Sequence, residues 1–333
     1  MKNFYSVFTS EWNHAIENLL QNYDIYAPMR TDETIDYELL DLKNFSEAVY
    51  NIPKPTTPLK TFYLPVKENV TKNKTDEIRR VITGIPNCDL QALNILDEIY
   101  LNNDFKDSFY ANKREKTILI GASCFSTQEH CHCTSYGVKP YPESVCDISL
   151  SEVDQKIHLE VFTNKGEDFI QSIKQYATVS KSPQIEIEDI KLKQQKIENQ
   201  LTENNSGLPD YKKTGELIEQ SEDEIWEKYS STCVSCGACA TICPTCSCFL
   251  LIDNPGFEKI RQLDACQYPG FERVAGDEDP LHALPKRFKN RYLCKYYWKP
   301  YKFDSIACTG CGRCIEACIG KINKNELFRE LAQ

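Results

Sequence analysis

One cysteine spacing occurs twice in this chain. Cys233, Cys236, Cys239 and Cys243 follow C-x2-C-x2-C-x3-C, and Cys308, Cys311, Cys314 and Cys318 follow it again. The residues between them also agree, CVSCGACATIC against CTGCGRCIEAC. The 333 residues hold 17 cysteines, and the N-terminus (Met1, Lys2, Asn3, Phe4, Tyr5) lacks the apolar stretch of a secretory signal. A cytoplasmic location is expected, where thiols stay reduced, so the cysteines point to metal rather than to disulfides.

The repeated spacing is that of bacterial two-cluster ferredoxins. There, three closely spaced thiolates hold one cubane and the fourth ligates the other. One 4Fe-4S cluster is therefore assigned to Cys233, Cys236, Cys239 and Cys318, and the second to Cys308, Cys311, Cys314 and Cys243. Gly237 and Gly312, directly after the second cysteine of each run, allow backbone conformations that turn amide N–H groups toward the sulfurs. The fourth cysteine is expected to begin a helix and point away. A zinc ribbon would separate its C-x2-C pairs by longer loops. Pro244 follows Cys243, whereas Ile319 follows Cys318, a departure that loosens the second turn without removing a ligand. With every iron ligated by protein, such a module conducts electrons and does not activate a substrate.

Upstream, Glu11–Gln21 has helical spacing with Trp12, Ile16, Leu19 and Leu20 on one side. Pro53, Pro55, Pro58 and Pro65 make residues 51–65 an extended loop. A βαβ unit is expected next. Its first strand ends at Val81–Gly84, a helix capped by Asp89 runs to about Tyr100, and Thr117–Gly121 is a buried parallel strand. Further on, His158–Phe162 reads as a strand with a helix after Gly166. Residues 185–229 are charged and broken at Asn204–Pro209, so two solvent-facing helices are expected. The fold class is α+β: an N-terminal α/β domain (1–184), a charged helical linker (185–229) and a dicluster ferredoxin-like domain with an insertion (230–333).

Cys88 and Cys124 fall in the turns after successive parallel strands, and both turns open on the same edge of a sheet. With Cys131 and Cys133 close behind, four thiols converge there, and they are candidates for a third 4Fe-4S cluster. Buried reduced thiols, or a zinc or 2Fe-2S site, are the alternatives. His130 and His132 flank Cys131 and are read as neighbours of the site rather than ligands. Cys246, Cys248 and Cys266 are expected to pack beside the clusters as small apolar groups, and Cys146 is structural.

At this point the sequence resembles the family that unites the A subunit of anaerobic sulfite reductase with sulfhydrogenase beta subunits. The resemblance rests on CVSCGACATICPTCSC, on Cys266-Gln-Tyr-Pro-Gly-Phe271 followed by Ala275-Gly276, and on CTGCGRC. It extends to Asn87-Cys88-Asp89, Arg114-Glu115 and the Cys124 to Cys133 segment, nearly the whole chain. Cys294 stands where the family usually has His before Lys. The resemblance implies an iron–sulfur subunit of a cytoplasmic complex. Its partners would be a flavin subunit that oxidises NAD(P)H and a catalytic subunit bearing sirohaem or nickel–iron. The sulfite reductase A subunit is the first reading and sulfhydrogenase beta the second. A self-contained iron–sulfur enzyme is the rival from another class, and no catalytic site of the chain's own is evident.

Other signals are weaker. The net charge is −10, opposite to the usual bias of a nucleic-acid binder. Between Lys286 and Lys302, seven Lys and Arg side chains alternate with aromatics and no acid intervenes. That stretch is expected to offset cluster charge or dock a partner, not to bind nucleic acid. No membrane span is expected. No G-x-G-x-x-G or P-loop is present, so a flavin or nucleotide would belong to a partner.

Overall fold

The computed structural model describes residues 3–72, 79–102 and 104–333. Among the described residues, the N-terminal half is built on nine strands. They are β1 (Asn3–Phe8), β2 (Tyr23–Arg30), β3 (Ile35–Leu39), β4 (Lys67–Asn69), β5 (Arg79–Pro86), β6 (Thr117–Ala122), β7 (Ile148–Val153), β8 (Lys156–Val161) and β9 (Ser180–Lys181). All except β4 form one sheet in the order β3-β2-β5-β6-β7-β8-β1-β9. The neighbours β2, β5, β6 and β7 run parallel, and antiparallel pairs close both sides. The central strands are buried on both faces, which is why TILIGA reads as a continuous apolar run rather than an alternating one.

Helices α1 (Thr9–Leu19), α2 (Asn87–Tyr100), α3 (Ser108–Lys116) and α4 (Asn164–Ile173) cover that sheet. Trp12, Ala15, Ile16 and Leu19 of α1 are buried, at the helical spacing seen in the sequence. The expected βαβ unit is present, with β5 and β6 parallel and α2 and α3 between them. Two local expectations change. Pro86, not Asp89, precedes α2; Asp89 lies inside the helix, fully buried, and is held by Arg313. Helix α4 begins before Gly166, because the Thr163 hydroxyl accepts the Gly166 N–H and caps it there. The proline-rich segment 51–65 is loop apart from one 3-10 turn, Leu59–Phe62.

Residues 184–230 form three helices rather than two solvent-facing ones: α5 (Gln184–Asn204), α6 (Tyr211–Gln220) and α7 (Asp223–Ser230). Their charged faces hide apolar stripes. Ile197 and Leu201 of α5 pack with Cys133 and Val138, and Ile218 and Trp226 enter a core with Phe288, Tyr292, Leu327 and Phe328. The segment is thus part of the body of the molecule. The stripe is faint in the sequence because an alternation of Glu, Lys and Gln with single isoleucines gives a weak period.

The C-terminal part contains α8 (Ala238–Thr241), the hairpin β10 (Phe249–Asn254) and β11 (Glu258–Leu263), then α9 (Leu284–Leu293), α10 (Lys299–Phe303), α11 (Arg313–Glu316) and α12 (Lys324–Leu331). A π-helical turn, Cys294–Trp298, joins α9 to α10. The hairpin lies between the two cysteine runs, and β11 also pairs antiparallel with β4. Buried Arg261 of β11 bonds Glu68 and Asp107. The insertion therefore ties the C-terminal part to the N-terminal one. Among the described residues no helix is long and apolar enough to cross a membrane.

Candidate metal centres

The two cysteine runs adopt the same backbone. Ser235 and Gly237 have φ of 52° and 71°, and the matching Gly310 and Gly312 have 68° and 79°. Repeated left-handed residues turn successive N–H groups inward, the arrangement that receives anions. Each loop then enters a four-residue helix, α8 or α11, that carries the third cysteine. The fourth cysteine follows that helix instead of beginning one, because the left-handed glycine starts the helix immediately after the second cysteine.

One cavity is lined by Cys233, Cys236, Cys239 and Cys318, and by Cys314 as well. A second is lined by Cys243, Cys308, Cys311 and Cys314. Cys318 thus lines a cavity with the first run, Cys243 lines one with the second, and Cys314 lines both. Burial raises the Cys239 thiol, with Arg291 opposing and Cys314, Cys233 and Cys318 adding to the rise. Burial pushes Cys311 up to about 12, with Arg313 opposing and Cys243 among its neighbours.

Both cavities suit an anionic group. Arg291, Lys295 and Lys324 are each about 3% exposed and make no ion pair with a carboxylate among the described residues. Burying a cation without a counter-charge costs several kcal/mol. Lys295 Nζ lies 3.0 Å from Cys243 Sγ. At the cavity walls, Arg291 Nε and Thr309 Oγ1 are buried without a hydrogen-bond partner. Two iron–sulfur clusters, each held by four thiolates, would supply the missing negative charge. The Lys286–Lys302 stretch is accordingly turned inward at Arg287, Arg291 and Lys295, while Tyr297, Trp298 and Tyr301 are exposed.

Cys88, Cys124, Cys131 and Cys133 come together at the C-terminal ends of β5 and β6. Burial pushes Cys133 up to about 12, with Cys131 adding to it. Cys124 is raised by burial and by Cys133 and Cys131. Cys88 is raised by burial, then by Asp89, Cys311 and, more weakly, Cys133. Cys88 therefore faces both this group and the second cavity. Among the described residues, no three or more His, Cys, Asp or Glu side chains converge as ligands of a single metal ion.

The segment after Cys124 is docked directly on the second cysteine loop. The His132 N–H donates to the Gly310 carbonyl at 2.9 Å. Asn205 Nδ2 donates to the Cys131 carbonyl at 2.9 Å. His132 is buried, its Nδ1 lies 2.8 Å from the His130 carbonyl, and its Nε2 lies 2.8 Å from Lys324 Nζ. Both histidines thus lie beside the thiols, with the His132 ring nitrogens already engaged by other groups. Lys54, also buried, bonds Gln128 and Glu316 and stands 3.9 Å from Cys131 Sγ.

The remaining cysteines divide. Cys146 sits in an apolar cluster with Leu119 and Leu90. Cys246 hydrogen-bonds Cys243, and Cys248 hydrogen-bonds Cys266. Arg313, the residue between Gly312 and Cys314, carries no signal in the sequence. Its guanidinium bonds both Asp89 oxygens, at 2.5 and 2.9 Å, and the Pro55 carbonyl. Lys324 is equally unmarked. Both act across long sequence distances, where no local spacing exists.

A family model described as a 4Fe-4S dicluster domain matches residues 232–322, the stretch holding both cysteine runs. Sulfhydrogenase 2 subunit beta of Pyrococcus furiosus is 28% identical over 323 residues, covering 93% of this chain and 92% of that protein. Residues 232–322 thus match a 4Fe-4S dicluster domain, and nearly the whole chain is similar to a sulfhydrogenase beta subunit. Among solved structures, a chain from the xenon-derivatised F420-reducing [NiFe] hydrogenase complex of Methanosarcina barkeri is similar at a TM-score of 0.39. It is 10% identical and covers 62% of this chain and 92% of that one, too distant to bear on fold or function. The dicluster protein thus holds two 4Fe-4S clusters, and each supplies one-electron chemistry when bound. The chain's own residues hold, shield and charge-balance them.

Proposed function

We propose that the dicluster protein relays single electrons as an iron–sulfur subunit of a multisubunit hydrogenase-type complex in the cytoplasm. In this reading Cys233, Cys236, Cys239 and Cys318 ligate the first cluster, and Cys308, Cys311, Cys314 and Cys243 the second. Cys88, Cys124, Cys131 and Cys133 ligate a third. The observation that carries the reading is continuity. Cys314 and Arg291 line both cavities, and Cys88 faces both Cys311 and Cys133. Three centres in file make a wire with one end in each half of the molecule.

The whole-length similarity to a sulfhydrogenase beta subunit favours that reading over the A subunit of anaerobic sulfite reductase, the reverse of the order the motifs suggest. The partners would be a nickel–iron catalytic subunit and a flavin subunit that oxidises NAD(P)H. Tagged protein purified anaerobically from its source tests this. A nickel-containing partner should accompany it, and hydrogen should reduce its clusters. A sirohaem partner, with sulfite as the oxidant, would instead restore the sulfite reductase reading. The third cluster has its own test: anaerobic protein should hold about twelve irons per chain, and about eight would eliminate that cluster.

A further inference from the structure

Lys324, at the start of α12, lines both cluster cavities. Its Nζ is 2.8 Å from His132 Nε2 and 3.1 Å from Tyr296 Oη. It is about 3% exposed and, among the described residues, makes no ion pair. Arg291, from α9, lines the same two cavities and donates from Nη2 to the Cys239 carbonyl at 3.0 Å. Lys295 differs: it lines the second cavity and not the first, with its Nζ against Cys243 Sγ. Of these three cations, two are shared between the cavities and one is private to the second.

We propose that Lys324 and Arg291 form a common counter-charge in the wall between the two clusters, so that they set the potentials of both together. The proposal rests on the two-cluster reading of the cavities. A buried cation stabilises the reduced, more negative state of any cluster near it, because low surrounding polarity strengthens the attraction. Burial, net charge and hydrogen bonds to sulfur are the levers by which protein tunes such centres. A cation facing two clusters moves both in the same direction, and this keeps the step between them shallow. A private cation moves one and steepens the step. The hydrogen bond to His132 fixes the Lys324 ammonium between the cavities and ties it to the segment carrying Cys131 and Cys133. Tyr136 and Phe328 rings, 5.4 and 5.0 Å from Nζ, complete its enclosure.

The test is an EPR-monitored redox titration of the isolated, anaerobically purified chain, with iron content measured alongside. The variants are K324M, K324Q, K324R, R291M and K295M. K324M and R291M should each lower both successive midpoints. The effect should be on the order of a tenfold loss of reduced fraction at fixed poise, about 59 mV for one electron. K324R should restore the parent values. K295M should move one midpoint and leave the other. K324Q keeps a hydrogen-bonding head without the charge, and it should behave as K324M does if the long apolar side chain fails to assemble. Unmoved midpoints in K324M or K324Q at parent iron content would overturn the proposal, as would movement of only one. A parent chain without two low-potential reductions would instead remove the two-cluster reading on which it rests.

Discussion

At Gly310 the backbone φ is +68°, and a Cβ there would stand 2.5 Å from the His132 carbonyl oxygen and 2.6 Å from the Cys133 Cα. Both the conformation and the contact therefore demand glycine, and the contact joins the second cysteine loop to the Cys131–Cys133 segment. G310A should cost on the order of 1–3 kcal/mol or more, read as a lower unfolding midpoint and lost iron. The neighbouring Arg313 is paired with Asp89 where neither side chain is more than 1% exposed. Removing one partner of such a pair typically costs about 3–5 kcal/mol. R313L should therefore destabilise strongly in denaturant unfolding, and a loss below about 1 kcal/mol would contradict the buried pairing. The thiols offer a third check. Cys248 is pulled down to about 6 by the hydrogen bond from Cys266, with Lys299 and Lys295 adding to it. Burial pushes Cys146 up to about 12. At neutral pH, iodoacetamide should label Cys248 before Cys146 in cluster-loaded protein, and the rate should fall as pH drops through about 6. Peptide mapping that finds Cys146 first would contradict this. At this scale the dicluster domain was legible in the sequence because a metal centre imposes a local cysteine spacing. Arg313, Arg291 and Lys324 were not, because their partners are brought to them only by the fold.

The helices between the two halves show how elements bind the molecule together. The charged segment reads as a linker, yet Trp226 of α7 is 1% exposed and packs on Phe288 and Tyr292, whose helix α9 walls the cavities. W226A should cost about 3–5 kcal/mol, as large aromatic truncations in cores do. A fragment starting at residue 230 lacks Ile218 and Trp226, so it should retain its clusters poorly. A fragment beginning before α6 should retain them better, and anaerobic iron counts on the two would show it. The parallel strands β5 and β6 were readable from their apolar runs, and with them the placement of Cys88 and Cys124 at one sheet edge. The burial of α5, α6 and α7 was not, because single isoleucines among charges become a stripe only against a surface that the sequence does not display.

On the scale of the molecule, the sheet of the N-terminal half supplies one group of four thiols and the C-terminal loops supply two. Three joints hold them in register: the β4–β11 pairing, the Asp89–Arg313 bond and the seat of His132 on Gly310. Each joint lies near a cysteine group or fixes the insertion beside one. In the proposed relay these joints would hold the cysteine groups at fixed separations. The basic and aromatic run at 286–302 belongs to the same design, since its buried cations face the clusters. The most direct measurement is a reductive EPR titration of the chain purified alone without oxygen, with hydrogen and sulfite turnover assayed on the same sample. The account predicts reversible low-potential cluster signals and no turnover of either substrate. Turnover by the isolated chain would contradict it.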